Sequence, residues 1–478
     1  MPHGPARATR ARERRRAERS ASGSRRSAGA NASSGAMWRR WTIGVLIASA
    51  LVVPLIFDLL DRDSFAQAKL AMLHLFVPLA AAGPLLAVLS GRLPWRVRPR
   101  WPDVAVIAFA ALAVLATIFS VAPELSLEGE HFQWQGLVSL LMYAMAYAVA
   151  RAALTDAPAL RKFFWALALA AAIVAAYGLL QQLRLDPVWG VLNKGRIFST
   201  LGQANVLAAF FVLVLPCIGV LAVMGPRLLR ALAAGSVVLG LAALGLTLSR
   251  GGYLGLLAGL VAMAAVIAPS VRTSVRFDRR WVRAGALVAV AAIVLLVAIP
   301  PARQQAVRVL DRAASIVNTR DSSIASHLDL WAVGLRIMFD HPVLGTGPDT
   351  YALVFPRYRD RVLTAERAAF MERFRPESPH NVYLAISTGL GIPALIAYLA
   401  LIAMVLVRAV RSVLLTTGPI RIVGVALIGA IVGHLVSDAF MTAELTGAWL
   451  FWTFLGAAAS LPILVPRTDD PGGARSAA

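Results

Sequence analysis

Long apolar runs separated by short polar segments dominate this chain. About twelve of the runs reach the roughly twenty residues that an α-helix needs to cross a bilayer. The pattern therefore predicts transmembrane helices near residues 41–60, 68–89, 103–121, 136–154, 163–182, 205–224, 228–248, 252–269, 281–300, 381–407, 420–438 and 443–464.

One long polar insertion, residues 301–380, interrupts the pattern between the ninth and tenth runs. Inside it, the stretch from Leu328 to Phe339 has apolar side chains at helical spacing, which predicts an amphipathic helix at the membrane surface. The Gly345-Thr346-Gly347-Pro348 sequence that follows predicts a rigid turn. Long ordered loops usually carry function, so we expect this loop to close over a substrate.

Composition agrees with a membrane protein. The 478 residues are 58% hydrophobic and only 15% charged, which is too apolar for a soluble domain. We predict an all-α polytopic protein with about 12 transmembrane helices. Its predicted parts are a disordered basic cytoplasmic tail (1–40), helices 1–9 (41–300), an extracytoplasmic loop with an amphipathic helix (301–380), helices 10–12 (381–464) and a cytoplasmic tail (465–478).

The net charge of +22 could suggest a nucleic-acid partner. The arginines, however, lie mostly in short segments between apolar runs, which indicates membrane topology and argues against nucleic acid. The single cysteine, Cys217, excludes a disulfide within the chain. If the N-terminus is cytoplasmic, the inner loops hold most of the cations and the outer loops few. We therefore predict that both termini are cytoplasmic and that the long loop is outside.

Three polar motifs fall on the predicted outer side. Arg196 lies in a Gly- and Ser-containing turn that leads into an apolar helix, where helix N–H groups and a guanidinium favour an anion. Arg250 lies between two spans with glycines behind it, which permits close approach to a ligand. His380 lies where the long loop re-enters the membrane and is placed to transfer a proton near neutral pH.

The order and spacing of these motifs resemble the O-antigen ligase and polymerase family. The resemblance covers about 195–400 and includes the Arg196-x-Phe-Ser-Thr turn, the Leu-Ser-Arg250-Gly-Gly turn, the segment from Asp340 to Pro348, and His380-Asn381. It implies a GT-C-like fold. It also implies transfer of a glycan from a polyprenyl-diphosphate carrier to an acceptor at the outer face of the inner, cytoplasmic membrane, without metal or other cofactor.

The resemblance also implies roles for individual residues. Arg196 and Arg250 match the diphosphate-binding arginines, and Lys69 extends this set more weakly. His380 matches the histidine that acts on the acceptor, so His380 and Arg250 are the predicted catalytic residues. Two positions depart from the family pattern: His327 and Gln133 stand where many members carry arginine.

The predicted function is therefore that of an inverting, metal-independent glycosyltransferase in polysaccharide biosynthesis of the cell envelope, acting as an O-antigen ligase on a lipid, glycan or protein acceptor such as lipopolysaccharide. A polymerase of the same family is the first alternative. A lipid-glycan flippase without chemistry is another, although the chain lacks the paired halves typical of transporters. A metal-dependent glycosyltransferase using Asp61 and Asp63 is the third.

Overall fold

A computed structural model of the chain describes residues 37–60, 64–91, 100–131, 133–189, 195–224, 226–271, 300–315, 322–374, 376–442 and 444–461. These residues form helices and connecting turns, without a β-strand. Eight helices are long and apolar enough to cross a membrane, and two shorter apolar helices accompany them in the described part of the chain. The protein is thus an all-α polytopic membrane protein, as predicted.

The helices are numbered here in chain order. They are α1 (37–52), α2 (Ala66–Leu89), α3 (Trp101–Ile118), α4 (Pro123–Glu128), α5 (Leu137–Ala153), α6 (Ala157–Gln182), α7 (Ala204–Val223), α8 (Arg227–Leu246), α9 (Arg250–Val271), α10 (Pro300–Ala314), α11 (Ser322–Asp340), α12 (Tyr351–Val362), α13 (Ala365–Phe374), α14 (Val382–Leu390), α15 (Ile392–Leu415), α16 (Gly418–Asp438) and α17 (Leu445–Ser460).

Each predicted span that falls in the described residues corresponds to an observed helix. The predicted ninth span, 281–300, lies almost entirely outside the described residues, as do residues 1–36 and the tail after residue 461. The predicted single span 381–407 is wrong. The chain forms the short helix α14, breaks at Gly391 and continues as α15. Gly391 has φ +85°, and a Cβ there would lie 2.2 Å from the carbonyl oxygen of Val343, so this break requires glycine.

Ion pairs at the predicted cytoplasmic end join the helices of the bundle. Arg39 on α1 pairs with Asp156 at the start of α6 at 2.5 Å. Arg151 at the end of α5 pairs with Asp103 at the start of α3 at 2.9 Å. Both pairs are partly buried, so each charge is desolvated and compensated together. These contacts hold one set of helix ends together at one end of the bundle. The long loop lies at the opposite end.

The Gly345–Pro348 segment, here called the strap, fixes the long loop to the opposite end of the bundle. The Thr346 N–H donates to the Thr388 carbonyl at 2.8 Å, and the Gly347 N–H donates to that of Gly389 at 2.9 Å. On its other side the Thr346 carbonyl accepts from the Val121 N–H at 3.0 Å. Gly347 has φ +109°, and a Cβ there would lie 2.0 Å from the Ser120 hydroxyl. The predicted rigid turn is therefore a buried connection between α3 and α14.

The loop has a small apolar core of its own. The inward face of α11 contributes Leu330, Val333 and Ile337, which pack with side chains of α12 and α13. A helix is present where the amphipathic helix was predicted, and it runs longer than the apolar pattern, over Ser322–Asp340. Leu328, Leu335 and Phe339 on the same helix stay exposed. The loop is thus a packed cap whose helices hold their side chains in fixed positions relative to the bundle.

The orientation of the bundle is testable with single cysteines in a Cys217→Ala background. Thr364, between α12 and α13, and Thr417, between α15 and α16, are both exposed. We expect a membrane-impermeant maleimide to label Thr364→Cys in cells whose outer permeability barrier is opened, because the cap is predicted to lie outside. Thr417→Cys should react only after the cytoplasmic membrane is lysed. The reverse pattern would overturn the predicted topology.

Candidate active site

Three arginines meet where the turn between α8 and α9 ends. Arg196 donates from Nε to the Thr247 carbonyl at 2.6 Å and from a terminal nitrogen to Asn205 Oδ1 at 2.7 Å. Arg312 of α10 donates from Nε to the next carbonyl, that of Leu248, at 3.2 Å. Burial, and then repulsion from Arg312, lower the pKa of Arg196 to about 10. Arg196 remains charged at neutral pH, so this cluster is a strong attraction for an anion.

Arg250 begins α9 and completes the cluster. Its Nε and a terminal nitrogen donate to the Ser315 hydroxyl at 3.0 and 2.7 Å, and that hydroxyl donates in turn to the Arg312 carbonyl at 2.8 Å. Arg250 is thus tied to the end of α10, which also carries Arg312. One helix of the cap and one turn of the bundle therefore supply the cations together.

His327 lies between the arginines and His380. The rings of His327 and His380 are 5.5 Å apart between centroids. Burial lowers the pKa of His327, and the charge of Arg250 lowers it further. His327, which stands where many family members carry arginine, is therefore harder to protonate than a free imidazole.

His380 is held by hydroxyl groups. Its Nδ1 lies 2.8 Å from the Thr442 hydroxyl, which lies 2.6 Å from the Ser378 hydroxyl. Asn381 caps the following helix by accepting from the Leu384 N–H at 3.1 Å. Burial, and then the neighbouring His327, lower the pKa of His380 to about 4. The imidazole is consequently neutral at pH 7, with one nitrogen fixed and Nε2 without a hydrogen bond from the described residues.

Backbone strain collects at this end of the molecule. Ser199, Leu248, Asp349 and His380 all have positive φ, between +48° and +58°, in the left-handed region that favours glycine. Each such residue costs about 1–3 kcal/mol and persists only where the surroundings impose it, which is common at functional sites. The strained positions lie beside Arg196, beside Arg250, at the end of the strap and at the candidate base itself.

Lys69 does not join the arginines as predicted. Its side chain is fully buried, and its Nζ donates to the carbonyls of Ile56 at 2.9 Å, Phe65 at 3.3 Å and Thr200 at 2.8 Å. Three carbonyl acceptors account for the three donors of an ammonium group. We therefore assign Lys69 a structural role: it holds α2 against the turn that carries Arg196.

Sequence reasoning missed two residues of the site. Arg312 was absent from the predicted set, although its i,i+4 spacing from Arg308 in a polar stretch after an apolar run is a signal for a helix with a basic face. Thr442 lies in a short turn between two spans, and no local pattern marks it as a partner of His380. Gln133, the other departure from the family pattern, is buried near Asp349 and away from the arginines' contacts.

One comparison with known proteins finds a matching family. The family model described as O-Antigen ligase matches residues 235–399. This region of the chain is therefore similar to the O-antigen ligase family. A search of curated proteins finds no match. The O-antigen ligase domain includes Arg250, Arg312, His327 and His380, whereas Arg196 precedes it. The class of activity is thus membrane glycan transfer of the O-antigen ligase or polymerase type.

The structural role of Lys69 predicts the effect of replacing it. In Lys69→Met the side-chain volume is nearly kept, but three buried carbonyls lose their donor, and each costs roughly 1–3 kcal/mol when left unpaired. We expect a marked fall in the thermal midpoint of the detergent-solubilised protein. Lys162→Met, at an exposed position, serves as control and should leave the midpoint unchanged. A stable Lys69→Met protein that has lost carrier binding would instead support direct phosphate contact.

Proposed function

We propose that the protein transfers a glycan from a polyprenyl-diphosphate carrier to an acceptor at the outer face of the cytoplasmic membrane, with inversion and without a metal ion. The observation that carries the proposal is a continuous row of neighbouring side chains: Arg196, Arg312, Arg250, His327 and His380. It joins an anion site to a neutral imidazole at one end of the bundle.

The arginines fit a diphosphate leaving group. Breaking the bond between the anomeric carbon and the carrier oxygen leaves negative charge on the diphosphate, and fixed cations stabilise that charge as it grows. Arg196 and Arg250 each use part of their donor set on protein acceptors, which orients the planar guanidinium. A guanidinium so oriented can present two parallel N–H groups to phosphate oxygens.

His380 fits the role of general base. An acceptor hydroxyl or amide becomes a good nucleophile only when its proton is withdrawn, and a neutral imidazole can accept that proton. The pKa of about 4 in the free protein keeps His380 unprotonated. A bound diphosphate adds negative charge nearby and raises this pKa toward neutrality, so the base becomes stronger once the donor is in place.

Two alternatives share this site. A polymerase of the same family would use the same side chains and differ only in the acceptor. A flippase would need the anion site but not a histidine fixed by Thr442 and Ser378, so the His380 geometry favours chemistry. The metal-dependent alternative used Asp61 and Asp63, which lie outside the described residues. Transfer that persists in EDTA would exclude that alternative.

Arg250→Lys tests the diphosphate contact. Lysine keeps the charge but cannot form the two-bond fork, so we expect transfer to fall about a hundredfold, the scale of losing one transition-state donor. Arg357→Lys on α12, an exposed arginine of the cap, is the matched control and should transfer at the wild-type rate. The assay is glycan transfer by purified protein in proteoliposomes. Near-normal transfer by Arg250→Lys would show that Arg250 acts only as a positive charge that helps set the membrane topology.

His380→Ala tests the base. We expect a loss of roughly a hundredfold to ten-thousandfold in rate, with carrier binding retained because the arginines remain. His341→Ala is the control, since His341 contacts Tyr358 inside the cap. Because the base must be neutral, activity should fall as the pH drops through its pKa. The acid limb of kcat should lie at higher pH than that of kcat/KM, because bound diphosphate raises the pKa. Normal transfer by His380→Ala would contradict this assignment.

A further inference from the structure

A pocket lies beside Ser378 and Thr442, the two hydroxyl groups that hold His380. Its polar lining includes Gln133, Gln135, Asp349, Glu377, Ser378 and Thr442. The space inside it, about 560 Å³, includes open solvent at its mouth. Thr442 belongs both to this lining and to the hydroxyl pair that holds His380. Thr442 therefore connects the pocket to the candidate base.

Gln133 leaves a hydrogen-bond donor unused in this pocket. Its side chain is 8% exposed, and Nε2 is buried without a partner among the described residues. Its neighbour Gln135 has a partner at each polar atom: Nε2 donates to the Gln133 carbonyl at 3.0 Å, and Oε1 accepts from the Tyr143 hydroxyl at 3.1 Å. Buried polar groups are nearly always paired in folded proteins. An unpaired amide here indicates a ligand that brings an acceptor oxygen.

The same pocket carries acceptors and negative charge. Asp349 Oδ2 accepts from the N–H groups of Glu130 and Gln135 at 2.7 and 2.9 Å, while Oδ1 has no such bond from the described residues. Glu377 stands at the mouth and is exposed. A second phosphate or another anion would be repelled there. Amide donors beside carboxylate acceptors suit hydroxyl groups, each of which can accept and donate.

We infer that this pocket receives an uncharged, hydroxyl-rich saccharide unit of the acceptor. Gln133 and the carboxylates of Asp349 and Glu377 select this unit over phosphorylated sugars. This rests on the proposed function. The acceptor hydroxyl forms the new bond to the anomeric carbon, and its proton passes to His380. The bond from that carbon to the carrier breaks, and its electron pair leaves on the diphosphate, which the arginines hold.

Gln133→Glu tests the donor in the pocket with almost no change of shape. Proteoliposomes are given the glycan-diphosphate carrier with a soluble alkyl glucoside as acceptor, or with the same glucoside bearing a phosphate. We expect the wild type to use the neutral glucoside and reject the phosphorylated one. Gln133→Glu should raise KM for the glucoside about tenfold, the equivalent of one hydrogen bond, with KM for the carrier unchanged. Gln304→Glu, at an exposed position on α10, is the matched control.

A second variant tests the effect of the pocket's negative charge without changing Gln133. Glu377→Gln, at an exposed position, should lower KM for the phosphorylated glucoside relative to KM for the neutral one. Equal use of both glucosides by the wild type, a preference for a serine peptide over the glucoside, or unchanged acceptor KM in Gln133→Glu would each overturn the inference. If the wild type transfers nothing even to a membrane extract from its own cells, the proposed function itself fails.

Discussion

The site depends on the strap that fixes the cap to the bundle. Two backbone hydrogen bonds, from Thr346 and Gly347 to the end of α14, hold the segment in place, and Ser120, just after α3, leaves room only for glycine at 347. Arg196 and Arg250 belong to the bundle, whereas Arg312 and His327 come from the inserted segment. Without a fixed strap these groups would have no defined separation, and positioning within about an ångström decides catalytic rate.

Gathering like charges works against folding, and the structure shows how the repulsion is contained. Arg196 donates to the Thr247 carbonyl, and Arg312 donates to the carbonyl of the next residue, Leu248. These two carbonyl dipoles partly stabilise both positive charges. Leu248 reaches that position only with a strained backbone. A bound diphosphate would relieve the remaining repulsion, so ligand binding and closure of α10 onto the bundle stabilise one another.

The spans could be predicted because the apolar runs are long. Arg196 and Arg250 could be chosen as candidate site residues because isolated charges stand out beside such runs. Sequence reasoning failed where a side chain's meaning depends on distant partners. Lys69 looks like an outer-face cation, yet its three acceptors come from residues as far along the chain as Thr200. The break at Gly391 interrupts no polar pattern, because the residues on both sides are apolar. Arg312 gains its role only when α10 folds against the turn before α9.

Charges of opposite sign lie near His380, and in the proposed reaction they set its direction. In that reaction Arg250 and its neighbours hold the diphosphate and stabilise it as it leaves. In the pocket lined by Thr442, Asp349 and Glu377 disfavour any second anion, so a carrier bound in reverse would be repelled. Thr442 bonds to His380 and also lines the pocket, so the orientation of the base is tied to the occupancy of that pocket. An acceptor that pairs with Gln133 would then reach a base already aligned toward the donor.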